Sequence, residues 1–473
     1  MALARGWKVL LVTSAGVYLV SLDVTIVNIA FRDLNADFAE ASPNLLSWVL
    51  SGYNIAFAAS LLTAGRMADR FGRRRAFFTG LAVFTTASAL CGLAPGPYWL
   101  IAARVLQAVG GALIIPSSLA LILPEFPPER RSAAIGIWGA VGAVAAATGP
   151  SLGGFLVDAV GWRAVFYVNM PFCLLAFVFG RSLLVESKDP TAGGIPDVLG
   201  AALGTLGVGA LTLSIVQGGE WGYADPRTVA AYVVAAVALP AFVARCNRSS
   251  NPVLDLGLLR QRFFAVANAA GFLFAVGFFA MLFVNVQFLT AVWGYSVIGA
   301  GLALTPGPLF AAACAGPAGR LADRYGHRVV AGPGAVLFAA GILSYILFLG
   351  QQPDYWGVFF VGNAIVGIGI GFTISTLGSA SSAFLPPTRF AMGSAFNATA
   401  RQVGAALGIA MVVAVLGTPS PAEAPAAFDR AWSVLALFGL GSGVVMLTLF
   451  RPPASAEVAT TADGSVTTGA PAA

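Results

Sequence analysis

The chain has 473 residues, 58% of them apolar, only 10% charged, and a net charge of +6; its mean hydropathy is +0.84. That balance lies far above the globular average and excludes a string of soluble domains. The basic residues sit in short loops between long apolar runs rather than on a solvated face interleaved with aromatics, so nucleic acid is excluded as a partner. Cys91, Cys173, Cys246 and Cys314 are isolated from one another and from the single histidine, which leaves neither a disulfide framework nor a zinc site.

Arg5 and Lys8 precede an apolar run that continues to Ala30 without a small-residue cleavage pattern, so it reads as a first membrane helix rather than a signal peptide. Apolar segments of roughly 18–25 residues, the length that crosses about 30 Å of hydrocarbon, then recur along the chain. Fourteen helices are predicted, starting near Lys8, Leu45, Ala76, Tyr98, Ser132, Arg163, Asp197, Thr228, Phe263, Gly299, Val330, Tyr355, Phe390 and Ala431. With the N-terminus in the cytoplasm, only Arg32, Arg163, Arg227 and Arg430 fall outside and only Arg104 and Arg401 inside helices. The remainder of the 26 Lys and Arg are then cytoplasmic. This positive-inside bias predicts both termini in the cytoplasm.

Between the second and third segments lies Gly65-Arg66-Met67-Ala68-Asp69-Arg70-Phe71-Gly72-Arg73-Arg74-Arg75. It is matched at seven of eleven positions by Gly319-Arg320-Leu321-Ala322-Asp323-Arg324-Tyr325-Gly326-His327-Arg328-Val329. A charged, glycine-punctuated turn at corresponding places in two halves predicts a duplicated membrane protein. The offset between the copies exceeds the roughly 200 residues that two plain six-helix halves would give. The surplus fits a helix pair, 197–216 and 228–245, inserted between the halves. The expected organisation is therefore an all-α polytopic membrane protein: a six-helix bundle over 1–185, a linker with two extra helices over 186–262, a six-helix bundle over 263–451 and a disordered tail over 452–473. Glycines crowd the fifth and twelfth helices, where small residues let helices approach closely. Gly367-Ile-Gly369-Ile-Gly371 lacks the strand and soluble βαβ unit that a nucleotide loop needs.

Asp23 is the one carboxylate deep within a predicted helix, and an acid at that depth is a functional candidate by default. It lies about 12 Å from the outer end of its helix and Arg104 about 9 Å from the outer end of the fourth, so the two share a depth. Burial disfavours an ionised carboxyl and a nearby guanidinium favours it. A carboxyl whose arginine partner moves would therefore take up and release a proton; a static pair that specifies packing is the alternative. Asp69 and Asp323 are placed to approach a helix N-terminus or an arginine. Gly149-Pro150, beside Gly153 and Gly154, interrupts a helical hydrogen bond and predicts a hinge in the fifth helix. Arg401 is mid-helix with no acid in its own segment. It pairs across the bundle, binds an anionic substrate group or packs among carbonyls, and the sequence leaves the three open. Scattered amides (Asn28, Asn54, Gln107, Asn285, Gln287) among apolar and aromatic residues, with Trp48, Tyr53 and Arg401, suit a cavity for a bulky lipophilic molecule, and a single deep acid favours neutral or monocationic cargo. His327 reads as a solvated turn residue. Dispersed acids and one histidine give no catalytic cluster, so an enzyme is not expected.

Together these segments resemble the major facilitator superfamily, and within it the fourteen-helix drug:proton antiporters. The resemblance runs through 65–75 (the signature turn), 22–30 in the first helix, 104–112 in the fourth with Ala108 where glycine is usual, and 149–154, the helix-five motif of exporters. Trp48, Tyr53, Gly161-Trp162-Arg163 and Arg401-Gln402-Val403-Gly404 fit as well. It implies gating by Gly65, Asp69, Arg70, Gly72 and Arg73, with Gly319, Asp323, Arg324 and Gly326 as the second copy. It also implies proton coupling and substrate recognition at Asp23 and Arg104. Export of antibiotics or dyes across a bacterial plasma membrane follows, with the proton gradient as energy source, no cofactor and a monomeric carrier. An uptake symporter or narrow metabolite carrier on the same fold and, further off, a non-transporting sensor are the alternatives.

Overall fold

The computed structural model describes residues 2–188, 197–382, 384–417, 419–420 and 422–451. The predicted tail, residues 452–473, and part of the predicted linker, residues 189–196, lie outside these.

The described chain is helical throughout. Its membrane-length helices are α1 (Ala2–Asp37), α2 (Pro43–Phe71), α3 (Arg73–Gly92), α4 (Pro97–Ile122), α5 (Pro128–Val160), α6 (Ala164–Leu183), α7 (Val198–Trp221), α8 (Pro226–Arg248), α9 (Arg262–Ala291), α10 (Gly299–Tyr325), α11 (His327–Phe348), α12 (Tyr355–Ser382), α13 (Phe390–Leu416) and α14 (Ala424–Leu449). Thirteen are long and apolar enough to cross a membrane. The other, α5, has 33 residues, more than the roughly 20 that a span requires.

Helix starts follow local chemistry. Ser42, Asp197, Asp225, Ser296 and Asp354 accept backbone N–H bonds from Leu45, Gly200, Arg227, Gly299 and Gly357, satisfying donors that the first turn leaves free. The largest difference from the expected starts is at α14, which begins at Ala424 and carries Asp429 and Arg430 inside its first turns.

Packing repeats with the halves. In the first, α1 lies along α5 and α6, and α4 along α2 and α3; in the second, α9 lies along α13 and α14, and α12 along α10 and α11. Each contact in one set maps onto the other by advancing every helix eight places, the relation expected for a parallel repeat. The halves meet along α2–α13 and α5–α10, a pair of interfaces that the same repeat relates. The pair α7–α8 packs outside this frame, with α7 against α2 and α13. Thr63 of α2 shares a hydroxyl hydrogen bond of 3.2 Å with Thr205 of α7. In lipid such contacts and close van der Waals fit, not water exclusion, hold helices together.

At one end of α1, Asp37 accepts hydrogen bonds from Trp162 Nε1 (3.0 Å) and Arg163 Nη1 (2.9 Å). The bond from Trp162, then that from Arg163, holds the Asp37 carboxyl below its usual range. An acid held low adds stability in full above about pH 4, its unfolded value, and loses it as the pH falls through the lower folded value. The pair is 43% exposed on each side, so the contribution stays under about 1 kcal/mol. Melting temperatures of Asp37→Asn and wild type should therefore differ near neutral pH and converge as the pH falls below about 4; a gap that persists at acid pH would refute this account of Asp37.

Candidate functional site: a buried ion pair, two interlocked turns and a central cavity

Three constellations stand out. The first lies inside the first half. Asp23 and Arg104 are almost wholly buried and form a direct ion pair between α1 and α4. The same Arg104 nitrogen donates to Gln107 Oε1 at 2.7 Å, and Arg104 Nε donates to the carbonyl of Val49 at 3.1 Å. Gln107 Nε2 returns to Asp23 Oδ1 at 2.8 Å, and Asn169 Nδ2 reaches the same oxygen at 3.3 Å. Ser88 accepts from both amides. Tyr53 lies with its ring 4.1 Å from the guanidinium carbon. A charged pair so deep is costly unless its donors and acceptors are satisfied, and here both carboxylate oxygens and two of the three guanidinium nitrogens are hydrogen-bonded. Four helices, α1, α2, α4 and α6, and Ser88 of α3 thus converge on one ion pair and the amides around it.

The second constellation is the pair of turns. Gly72 and Gly326 have φ of 114° and 92°, conformations that L side chains resist, and each ends one helix and begins the next. Asp69 Oδ1 accepts from Arg73 Nε and Nη2 at 3.0 and 2.8 Å, while its Oδ2 accepts the backbone N–H of Met392 in the first turn of α13 at 2.9 Å. In the second copy Asp323 accepts from the backbone N–H of Ser132 and Ala133 near the start of α5, at 3.3 and 3.2 Å. Each turn thus seats its carboxylate on backbone N–H groups of a helix of the opposite half, and at Met392, in the first turn of α13, the helix dipole also favours the negative charge. Gly65 and Gly319 permit the approach: a Cβ on Gly65 would lie 2.3 Å from that of Ala395, and one on Gly319 2.5 Å from the carbonyl of Ser132. Arg73 and Arg131 flank the Phe390 ring at 6.0 and 5.4 Å. Arg70 and Arg324 lie over the rings of their neighbours Phe71 and Tyr325.

One reading of this region needs correction. His327 is not a solvated turn residue: it is 6% exposed, shares a 3.1 Å hydrogen bond with Ser132 Oγ of the opposite half, and packs on Phe384 and Phe450. The first residues of the expected linker, from Glu186, also pack on α3. Glu186 accepts from the backbone N–H of Arg74 and Arg75, and Ser187 O from that of Arg73, so this segment caps α3.

The third constellation is a cavity between α5, α12 and α13, lined by Trp138, Ile374, Ser375, Ser394, Asn397 and Arg401 among others. Its space for a water's centre is about 20 Å3, room for about one water. Of the expected cavity residues whose side chains are described, Arg401 alone lines it. Trp48 packs on Trp221 of α7 with ring centroids 6.0 Å apart, and Asn54 accepts a 3.4 Å hydrogen bond from Gln402. Asn285 is buried and accepts from Trp432 Nε1, and Gln287 is exposed. The side chains of Asn28 in α1 and Pro150 in α5 lie outside the described residues. Through Gly149-Pro150 α5 continues as one helix. Gly149 and Gly153 face α1, where a Cβ would meet Thr25 Oγ1 at 2.0 Å and Ile26 Cγ1 at 2.9 Å, while Gly154 has open space beside it.

Comparison with known proteins follows the same lines. The sequence profile of the Major Facilitator Superfamily matches residues 13–243 and 267–471, nearly the whole chain. The chain belongs to the Major Facilitator Superfamily. Among relatives of this superfamily, the multidrug resistance protein Stp of Mycobacterium tuberculosis is 33% identical over 408 residues, 86% of this chain and 75% of that protein. The probable actinorhodin transporter of Streptomyces coelicolor is 34% identical over 452 residues, covering 92% and 77%. The methylenomycin A resistance protein of Bacillus subtilis is 32% identical over 424 residues, covering 87% and 88%. The human organic anion transporter MFSD10 shares the fold, with a TM-score of 0.67 at 17% identity over 93% of this chain and 99% of that one. The protein is thus a multi-pass membrane transporter of this superfamily.

Proposed function

We propose that the protein is a proton-driven exporter of lipophilic organic molecules, working by alternating access across a bacterial plasma membrane as a monomer with both termini in the cytoplasm. The observation that carries the reading is the buried Asp23–Arg104 pair with its amide ring, an ionisable group held at mid-membrane in a chain whose relatives are named for drug and antibiotic resistance. Proton uptake neutralises Asp23 and leaves the Arg104 guanidinium without its counter-charge, and the two charge states favour different arrangements of α1 against α4. The gradient supplies the energy and no cofactor takes part. Everted vesicles loaded through an imposed gradient should accumulate rhodamine 6G or a relative's antibiotic, and an uncoupler should abolish the accumulation. Accumulation indifferent to the uncoupler would reject proton coupling.

The interlocked turns act as the cytoplasmic gate in this reading, closed here because Asp69 and Asp323 each bind the opposite half. Gly149-Pro150, with Gly153 and Gly154, is the place where α5 flexes when the gate opens. A bulkier residue at Gly319 wedges α10 from α5. Gly319→Val should shift the gate toward open by about 1–3 kcal/mol, roughly 5- to 150-fold in population. A reporter Ser394→Cys in the cavity, buried here, should then label faster from the cytoplasmic side. Unchanged labelling would mean that this contact does not hold the gate.

A further inference from the structure

Arg401 is the unusual charge of the central cavity. It is the twelfth residue of α13, about 16 Å along a helix that begins at Phe390. Among the described residues it makes no hydrogen bond and no ion pair, whereas Arg104, the other cation at such depth, makes three hydrogen bonds and an ion pair. Asp23 belongs to Arg104. Every other described acid lies in a loop or toward a helix end: Asp69 and Asp323 in the turns, Glu220 and Asp158 in last turns, Asp429 in an early turn of α14. A guanidinium at mid-membrane with no counter-ion calls for one from outside the chain.

The surroundings suit a flat acidic molecule. Trp138 on α5 and Ile374 on α12 give apolar walls from both halves, while Asn397 and Ser394 stand on the same helix as Arg401. A planar guanidinium with a fork of donors matches a carboxylate in two parallel hydrogen bonds. We propose that Arg401 is the substrate-recognition residue of the cavity and that the exported compounds are lipophilic organic acids, carboxylates or phenolates on an aromatic frame. The proposal rests on the export reading and revises its cargo: the expectation of neutral or monocationic compounds took Asp23 as the charge that meets the substrate, and Asp23 is already neutralised inside the first half. The closed cavity holds about one water, so a whole ligand enters when the halves part and its acid group then meets Arg401. Asn54 and Gln402, bonded across α2 and α13 beside this residue, separate in the same step.

The test is binding to the purified full-length protein, read by quenching of tryptophan fluorescence, with 3-hydroxy-2-naphthoate, its methyl ester and rhodamine 6G as probes. Wild type should bind the acid at least about tenfold tighter than the ester, a difference of about 1.4 kcal/mol. Arg401→Gln should erase that preference and Arg401→Lys, which keeps the charge without the fork, should retain part of it. Equal binding of acid and ester by wild type, no binding of the acid, or a preference that survives in Arg401→Gln would overturn the proposal. Should Arg401→Gln not fold, the wild-type ratio together with Arg401→Lys decides. Gradient-driven transport of the same probes in proteoliposomes separates the two readings. Uncoupler-sensitive export of rhodamine 6G without preference for the acid leaves the export reading standing and the acid proposal refuted. An Arg401-dependent acid preference without transport of any probe does the reverse.

Discussion

Asp23→Asn is expected to reduce gradient-driven export to the level that wild type shows with an uncoupler, while the protein still inserts and still exchanges substrate across the membrane. Asparagine keeps the volume of the aspartic acid, and its one carbonyl oxygen can replace the oxygen that meets Arg104 or the one that meets Gln107 and Asn169, but not both, and it carries no exchangeable charge. Arg104 retains acceptors in Val49 O and Gln107 Oε1 and the face of Tyr53, so the variant should fold. Substrate counterflow, which needs the carrier to reorient but no net proton movement, should persist. Gradient-driven export by this variant at the wild-type rate would remove Asp23 from coupling; loss of counterflow as well would reduce it to a packing residue.

Arg104→Leu should be the most destabilising single change in the first half. It deletes the ion pair and the bonds to Gln107 and Val49 and leaves a buried acid with only the amide donors of Gln107 and Asn169. Breaking one member of a buried pair typically costs about 3–5 kcal/mol, because the survivor is uncompensated. Adding Asp23→Asn to Arg104→Leu should therefore restore most of the thermal stability without restoring transport. Additive losses in the double variant would show that the two residues do not act as a pair, since groups in contact deviate from additivity by up to about 3 kcal/mol.

Position along the membrane was legible in the sequence, and position around each helix was not. Asp23 and Arg104 could be set at one depth by counting residues from helix ends, and the structure brings them into contact. The repeated turn likewise announced the parallel halves, and the surplus length between its copies announced α7 and α8. Asn169 and Ser88 escaped because a lone amide and a serine in apolar helices carry no local signal; only the fold turns them toward Asp23. Trp48, Asn285 and Gln287 were expected in the cavity for their chemistry alone. Helices that are apolar on every side give no stripe to say which residue faces lipid, neighbour or cavity, and these three face α7, α14 and the outside. His327 was misread for a related reason: nothing in the turn's own sequence shows that Phe384 and Phe450 of its half and Ser132 of the other close over it.

The most direct measurement is of protons. Proteoliposomes containing the protein and a pH-sensitive dye in the lumen, with no gradient imposed, receive a transported compound on one side. Wild type should move protons opposite to the substrate flux, and Asp23→Asn should move substrate with no pH change. Substrate flux in wild type without counter-flowing protons, or an undiminished pH change in Asp23→Asn, would contradict the claim that this carboxyl carries the coupling proton.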